Sequence, residues 1–339
     1  MNVFLENTNL SSTSGPNSFA AKLVKQFINK DHNFSKNINE SDVRLCFIES
    51  HIGKQEIKTV QRLDGIYFNS SQNYSRQNEN IKKTYDMSDG VIFQTEFNKE
   101  LTFKYFGEHK NYKIIRNGAD LDFLNLAEPV QHEKLDKFEN MWSCASSWRP
   151  HKRLNENIKY FLEHSGEDDC LVVAGQPDID IHHHPRIFYA GYLDPTQLAS
   201  VYKRSKYFLH LAWLDHCPNV VVDARASGCQ IICSSAGGTK EIAGSDAVII
   251  EEQEWDYRPV ELYSPPPLDF TKKLNNTFGV KVRENENFEG EMMPTKEDYG
   301  QGLVDEFAEE FDVDSVEHFE DMYQGQFTSG AEFAEVIAS

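Results

Sequence analysis

The sequence predicts an α/β protein built from two units, each a parallel sheet covered by helices on both faces. Three observations lead there. Strand-like and helix-like stretches alternate from residue 1 to about 125 and again from 141 to about 250, the pattern that parallel sheets require. A charged stretch carrying Pro129, residues 126–140, interrupts the alternation and reads as a linker. Leu214 to Gly244 then reads strand end, loop, helix, strand, loop, helix, gathering acids and glycines where α/β folds bind ligands.

The first unit can be taken in order. Val3 to Glu6 is a short strand, and Asn7 to Pro16 is a polar loop carrying Gly15. Apolar Phe19, Ala20, Leu23, Val24, Phe27 and Ile28 recur at helical spacing, so a helix is expected from Ser18. A glycine loop between strand and helix is either an ordinary turn or a place where free backbone N–H groups meet a phosphate or sugar. Val43 to Ile48 is a second strand, followed by Glu49 to Gly53. Thr59 to Gly65 is a third, with polar residues at its end. Lys58, His51, Arg62 and Asp64 line a cleft there, or else Asp64-Gly65 is a turn and His51 a loop histidine. Helices over the second half of Asn69–Tyr85 and over Glu96–Phe106 alternate with strands at Gly90–Gln94 and Lys113–Arg116. Asn117-Gly118 marks a tight turn.

The second unit repeats the scheme. Trp142 to Ser146 is a strand, Ser147 to Arg153 a loop, and Leu154 to His164 a helix. Strands follow at Cys170–Ala174, Ile187–Tyr189 and Tyr207–Leu211, with a helix over Pro195–Lys203. Ala247 to Ile250 ends the pattern. Beyond it, Pro265-Pro266-Pro267 reads as a stiff spacer. From Glu284 to Asp321 the single base is Lys296 among many acids, and Leu303, Val304, Phe307, Phe311, Val316 and Phe319 fit amphipathic helices. The tail is either a partner-binding segment or the solvated face of terminal helices.

Composition removes several function classes. The chain has 339 residues and a net charge of −20, which argues against a general nucleic-acid surface. No apolar run is long enough to span a membrane, and MNVFLENTNL lacks a basic region followed by an apolar one, so a cytoplasmic protein is expected. The six cysteines form no CxxC pair and read as reduced, buried thiols. There is no GxSxG, and Gly237-Gly238 is not a dinucleotide fingerprint. Asp178, Asp180, His182, His183 and His184 form a local cluster that reads either as a metal site or as a solvated loop; no metal or other cofactor is expected.

The remaining chemistry concentrates in two loops. Arg149, Lys152 and Arg153 lie between a strand and a helix N-terminus, which makes an anion site in an acidic chain, or else a basic surface turn. Asp215 and Asp223 are paired acceptors suited to the hydroxyls of a sugar or ribose. Pro218 is expected in the first helical turn, with the Asn219 and Val220 amides pointing at the anion. Cations, a helix N-terminus and two hydroxyl acceptors together match a nucleotide-sugar.

At these residues the C-terminal half resembles the donor-binding domain of GT-B glycosyltransferases, specifically the retaining glycosyltransferase family 4. That family carries a basic loop with an essential Lys, a Glu-x7-Glu element, an EAMA-x-G helix end and a GG-x-x-E turn. The matching stretches are Ser146 to Leu154, Asp215 to Gly228 and Ala236 to Gly244, with Leu171 to Pro177, Phe188 to Leu209 and Ile115 to Leu124 also in order. Residues 1–114 share architecture and the Gly15 loop. The resemblance implies two Rossmann-like domains facing each other across a cleft. It divides the chain into an acceptor-side domain (1–125), a linker (126–140), a nucleotide-sugar-binding domain (141–262), and a Pro spacer with an acidic, helical tail (263–339).

The resemblance implies a metal-independent, retaining transfer of a sugar to a glycan, lipid-linked or other hydroxyl acceptor. Lys152 and Arg149 would neutralise the leaving diphosphate, Asp215 would hold sugar hydroxyls, and Asp223 would take the ribose. Gly15, Pro218, Asn219 and Val220 would complete the donor site, and His51, Arg62 and Asp64 the acceptor side. The chain departs from the pattern in three places. Both acids are Asp, His216-Cys217-Pro218 replaces the usual Gly-Phe-Gly, and Ser147 falls where the basic loop usually has Arg. A nucleotide-sugar epimerase or phosphorylase on the same scaffold, or a non-catalytic sugar- or protein-binding copy, remain the alternative readings.

Overall fold

The computed structural model describes residues 1–12, 14–30, 32–35, 37–177 and 184–274. Asp178, Asp180, His182 and His183 of the possible metal cluster, and the acidic tail beyond 274, lie outside the described residues.

The first sheet contains β1 (Asn2–Glu6), β2 (Asn33–Phe34), β3 (Val43–Phe47), β4 (Lys58–Leu63), β5 (Gly90–Phe93) and β6 (Tyr112–Ile114), in the order β2-β1-β3-β4-β5-β6. Every pairing is parallel, as the strand–helix alternation requires. Its helices are α1 (Gly15–Asn29), α2 (Tyr74–Met87) and α3 (Glu96–Phe106). The first helix begins at Gly15, one turn earlier than its apolar spacing indicates. Pro16 sits in the first turn, where a missing N–H costs nothing. Phe19, Ala20, Leu23 and Phe27 of α1 pack on Val3, Val43, Leu45 and Val60.

After α4 (Leu121–Leu126) the chain runs without regular structure to the second sheet. That sheet contains β7 (Asn140–Ala145), β8 (Asp169–Ala174), β9 (Ile187–Gly191), β10 (Ser205–His210), β11 (Gln230–Ser234), β12 (Val248–Ile250) and β13 (Lys273–Leu274), in the order β13-β12-β11-β10-β7-β8-β9. All pairings are parallel except β12 with β13. Helices α5 (Leu154–His164), α6 (Pro195–Arg204), α7 (Asn219–Ala226) and α8 (Thr239–Ile242) connect the strands. The six cysteines are free and buried, four of them in strands. No helix of the described residues is long and apolar enough to cross a membrane.

The two strand orders place the functional loops. In the second sheet the order reverses between β7 and β10, so the loops leaving them, 146–153 and 211–218, flank one crevice. In the first sheet the reversal lies between β1 and β3, flanked by the Gly15 and His51 loops. Such switch points are where open α/β sheets bind ligands.

The sheets share an apolar cluster. Leu63, Ile66, Phe68, Phe93 and Phe97 of the first pack with Leu214 and Ala236 of the second. Trp255, Tyr257, Val260 and Leu262 join this cluster, and Asn69 bridges Val260. Residues 255–262, read from sequence with the second unit, therefore return to the first sheet. Their aromatic rings have no strand–helix period, so nothing local shows where they bury. The Pro265–Pro267 run is no free spacer. Arg153 Nη2 donates to the Pro266 carbonyl at 2.6 Å, and Leu268 and Phe270 pack on the second sheet's core.

Candidate functional site

The site begins at the end of β7. The chain leaves the strand through Ser146 and Ser147, passes exposed Arg149, and turns through a short 3-10 segment, Pro150–Lys152, before α5. Lys152 is aimed back at the loop after β10, where its Nζ lies 2.5 Å from Asp215 Oδ2. The His210 Nε2 is 2.8 Å from the same oxygen, and the His216 N–H donates to Oδ1 at 3.1 Å. Burial disfavours the Asp215 charge, but Lys152 and His210 outweigh it and hold the carboxyl well below the usual range. Asp215 is thus an anion at neutral pH. Its carboxylate remains 14% exposed.

The third cation of the loop turns away. Arg153 has φ 54°, is 2% exposed, and donates to both oxygens of Glu252 at 2.7 and 2.8 Å. A clamp of up to three cations is therefore two, Lys152 and Arg149, with Arg153 anchoring the returning chain. Burying that guanidinium is tolerable only because a carboxylate and two carbonyls meet it.

Helix α7 starts beside Asp215. Pro218 is its N-cap rather than its first residue, and Asn219 and Val220 are the first two helical positions, whose N–H groups have no intrahelical acceptor. Its other end closes through Gly228, in the left-handed region at φ 97°. The Gly238 N–H is spent on the Asp215 carbonyl at 2.8 Å. A Cβ on Gly237 would lie 2.6 Å from that carbonyl oxygen, and one on Gly238 2.0 Å from the His216 oxygen. The glycine pair buttresses the Asp215 loop from behind.

The first sheet covers this crevice directly. Asn219 donates to the Gly15 carbonyl at 2.9 Å and accepts from Asn117 at 2.8 Å. Asn117 in turn accepts from Arg62 at 2.5 Å. Arg62 pairs with Asp64, lies 3.7 Å over the Phe19 ring, and is 2% exposed. Burial lowers its pKa to about 9. Asp64 also accepts from Gln94 at 2.6 Å. Arg62 and Asp64 thus pair with each other and are joined through Asn117 to the start of α7. His51 stands apart: it is exposed, and its backbone N–H is held by Glu6 at 2.8 Å.

Asp223, read as a ribose acceptor, already has a partner. Lys22 of α1 reaches it from the other sheet, Nζ to Oδ1 at 2.6 Å. A similar clasp joins Lys25 of α1 at 2.8 Å to Asp120, the N-cap of α4, whose Leu121 and Leu124 pack on Ala199 and Ala226 of the second unit. Glu241 makes a third connection. It is 3% exposed and accepts the Glu96 and Phe97 N–H groups, at 2.8 and 2.9 Å, so it caps α3 from the opposite sheet. His216 makes a fourth, its ring packed against Phe68, Phe97 and Gly65. Sequence reasoning missed Lys22, His210, Glu241 and His216. Only Glu241 carried a signal, as the acid of the GG-x-x-E turn. Among the described residues, no group of three or more His, Cys, Asp or Glu side chains is placed to hold a metal.

Residues 136–257 match the family described as glycosyl transferases group 1. No curated protein matches the chain. Among solved structures, HepE of Anabaena in complex with UDP and glucose is 11% identical, with a TM-score of 0.55, covering 100% of this chain and 99% of its own. Sucrose-phosphate synthase of Thermosynechococcus elongatus is 10% identical, with a TM-score of 0.54, covering 75% of this chain and 86% of its own. WaaG, a glycosyltransferase involved in lipopolysaccharide biosynthesis, is 11% identical, with a TM-score of 0.52, covering 75% and 87%. At such identities the likeness is one of fold, and that fold is GT-B. The motif-based resemblance is borne out: the family match covers the basic loop, both acids and the glycine turn.

Proposed function

From the premise that residues 136–257 are a glycosyl transferases group 1 region on a GT-B fold, we propose that the chain transfers one sugar from a nucleotide-sugar to a hydroxyl acceptor, with retention of configuration. One observation carries this reading. The Lys152–Asp215 pair sits at the sheet's switch point, beside the start of α7 and under the Gly15 loop. Cation, free N–H groups and carboxylate are what a diphosphate attached to a polyol requires.

In this reading Lys152 leaves Asp215 for the diphosphate, with Arg149 and the Asn219 and Val220 amides as further donors. Asp215 then accepts from sugar hydroxyls. The negative charge that develops on the leaving diphosphate is met by these groups, the largest protein contribution to such a step. With the acceptor on the same face, a phosphate oxygen takes the hydroxyl proton as the new glycosidic bond forms. The positive charge comes from side chains and helix amides, so no resident metal or cofactor is invoked. Asp223 takes the ribose hydroxyls once Lys22 releases it. Arg62 and Asp64 shape the acceptor side with His51 at its rim, and residues 1–125 and 141–254 serve as the acceptor and donor sides, with 255–262 packed on the acceptor side. The description of HepE as a complex with UDP-glucose is consistent with a nucleotide-sugar donor.

The test is a panel of nucleotide-sugars, scored first by thermal shift and then by release of free nucleoside diphosphate. Stabilisation and release with at least one donor are expected. No stabilisation and no release with any donor overturns the reading.

A further inference from the structure

His210 closes β10, and its imidazole is 4% exposed, its ring nearly parallel to that of Phe208. Its Nε2 faces Asp215 Oδ2 at 2.8 Å. A carboxylate can only accept, so Nε2 carries the hydrogen, and burial, which lowers the ring's pKa below its ordinary 6.5, leaves it a neutral donor at neutral pH. Lys152 reaches the same oxygen from the other side, at 2.5 Å. One oxygen therefore has two side-chain donors of different mobility. Lys152 is a flexible stem on a loop, 18% exposed; His210 is a buried ring on a strand.

The proposed transfer moves the mobile donor. When Lys152 turns to a diphosphate, Asp215 loses its counter-charge while still largely buried, a state that is costly unless a hydrogen bond remains. His210 cannot follow Lys152, because strand and packing fix it. We propose that His210 is a positioning residue that keeps Asp215 ionised and oriented when Lys152 leaves it for an anion. The inference rests on the reading of Lys152 as the diphosphate ligand. It explains why a neutral histidine is buried beside a carboxylate that already has a lysine.

The charged and titratable groups facing His210 are Asp215, Lys152 and His151. Burial lowers the His210 pKa, Asp215 raises it, and Lys152 lowers it again. Departure of Lys152 removes a repulsion, so His210 becomes more basic. That response is measurable without turnover, by imidazole NMR of the full chain.

In the Lys152→Met variant His210 should protonate at measurably higher pH than in wild type, because the Lys152 repulsion is gone. In wild type, saturating inorganic pyrophosphate should shift that titration in the same direction. An identical titration in all three samples overturns the proposal. The kinetic arm compares His210→Phe with His210→Gln. Phe fills the volume without a donor and should lower kcat roughly tenfold or more, leaving the donor KM within a few-fold. Gln keeps an N–H and should restore most of that loss. Equal kcat in wild type and His210→Phe also overturns it. A wild type that responds to pyrophosphate but turns over no donor sinks the transfer reading and leaves the hand-over standing; turnover without the NMR response does the reverse.

Discussion

Removing the Glu241 carboxylate should open the first turn of α3 before anything else unfolds. Four N–H groups at a helix start lack intrahelical acceptors. In α3, Thr95 Oγ1 takes that of Asn98 at 3.2 Å, and Glu241 takes those of Glu96 and Phe97. Glu241→Ala strips two hydrogen bonds to a charged group, each worth about 1.5–3 kcal/mol. Glu96 is exposed, so water replaces one acceptor; Phe97 is 8% exposed and its N–H is left wanting. The ion pair with Arg116 at 3.5 Å adds little, since that side chain is 39% exposed. The sum is about 3 kcal/mol, or roughly a hundredfold in the local opening constant. Hydrogen exchange on the full chain reads this directly. Glu96 and Phe97 should lose about two orders of magnitude of protection in Glu241→Ala. Glu241→Gln keeps one acceptor oxygen and sets an NH2 against the other amide, so one of the two N–H groups should hold most of its protection and the other should lose it as in Glu241→Ala. If both amides exchange alike in wild type and Glu241→Ala, the carboxylate does not hold the two sheets together and the interface described here is wrong.

Two further outcomes follow from the same interface. Burial of the His216 ring lowers its pKa to about 4 from an ordinary 6.5. The open state therefore binds the proton more tightly, and closure is at full strength above pH 6.5 and weakens as pH falls towards 4, by up to roughly 3 kcal/mol. The radius of gyration from solution scattering should grow over that window in wild type and much less in His216→Phe; equal curves contradict the assignment. In the proposed reading Lys22 competes with the ribose for Asp223, so Lys22→Met should tighten nucleoside diphosphate binding. The half-buried pair is worth about 1 kcal/mol, hence about fivefold by calorimetry. Unchanged or weaker binding would make Lys22 a ligand-binding group instead of a competitor.

The fold was legible because parallel sheets with covered faces write themselves as alternating strand and helix. That Lys152 and Asp215 come together was legible for the same reason: each lies on a loop leaving one of two neighbouring strands at the same edge of the sheet. What escaped depends on partners far away in the chain. Arg153 looked like a member of the clamp, and only its left-handed φ and the Glu252 carboxylate, across two strands, turn it inward. Lys22 sits on the polar side of an amphipathic helix, a place where a lysine ordinarily faces water, and its partner is 201 residues on. His210 occupies a buried strand end, and no spacing rule says that a neighbouring carboxylate will fold back onto it. The Gly237-Gly238 pair was visible as a turn, but its purpose is steric: the Asp215 and His216 backbone presses where side chains would be. The return of residues 255–262 to the first sheet has no periodic signature at all.

The central claim is that Lys152 meets the charge of a departing diphosphate, with Asp215 on the sugar. Its most direct test is nucleoside diphosphate release from the best-stabilising nucleotide-sugar by wild type and by folded Lys152→Ala. Loss of that cation should lower kcat about 10²- to 10³-fold, the scale seen when one pre-organised donor to a developing anion is removed. Release by Lys152→Ala at the wild-type rate would contradict the account.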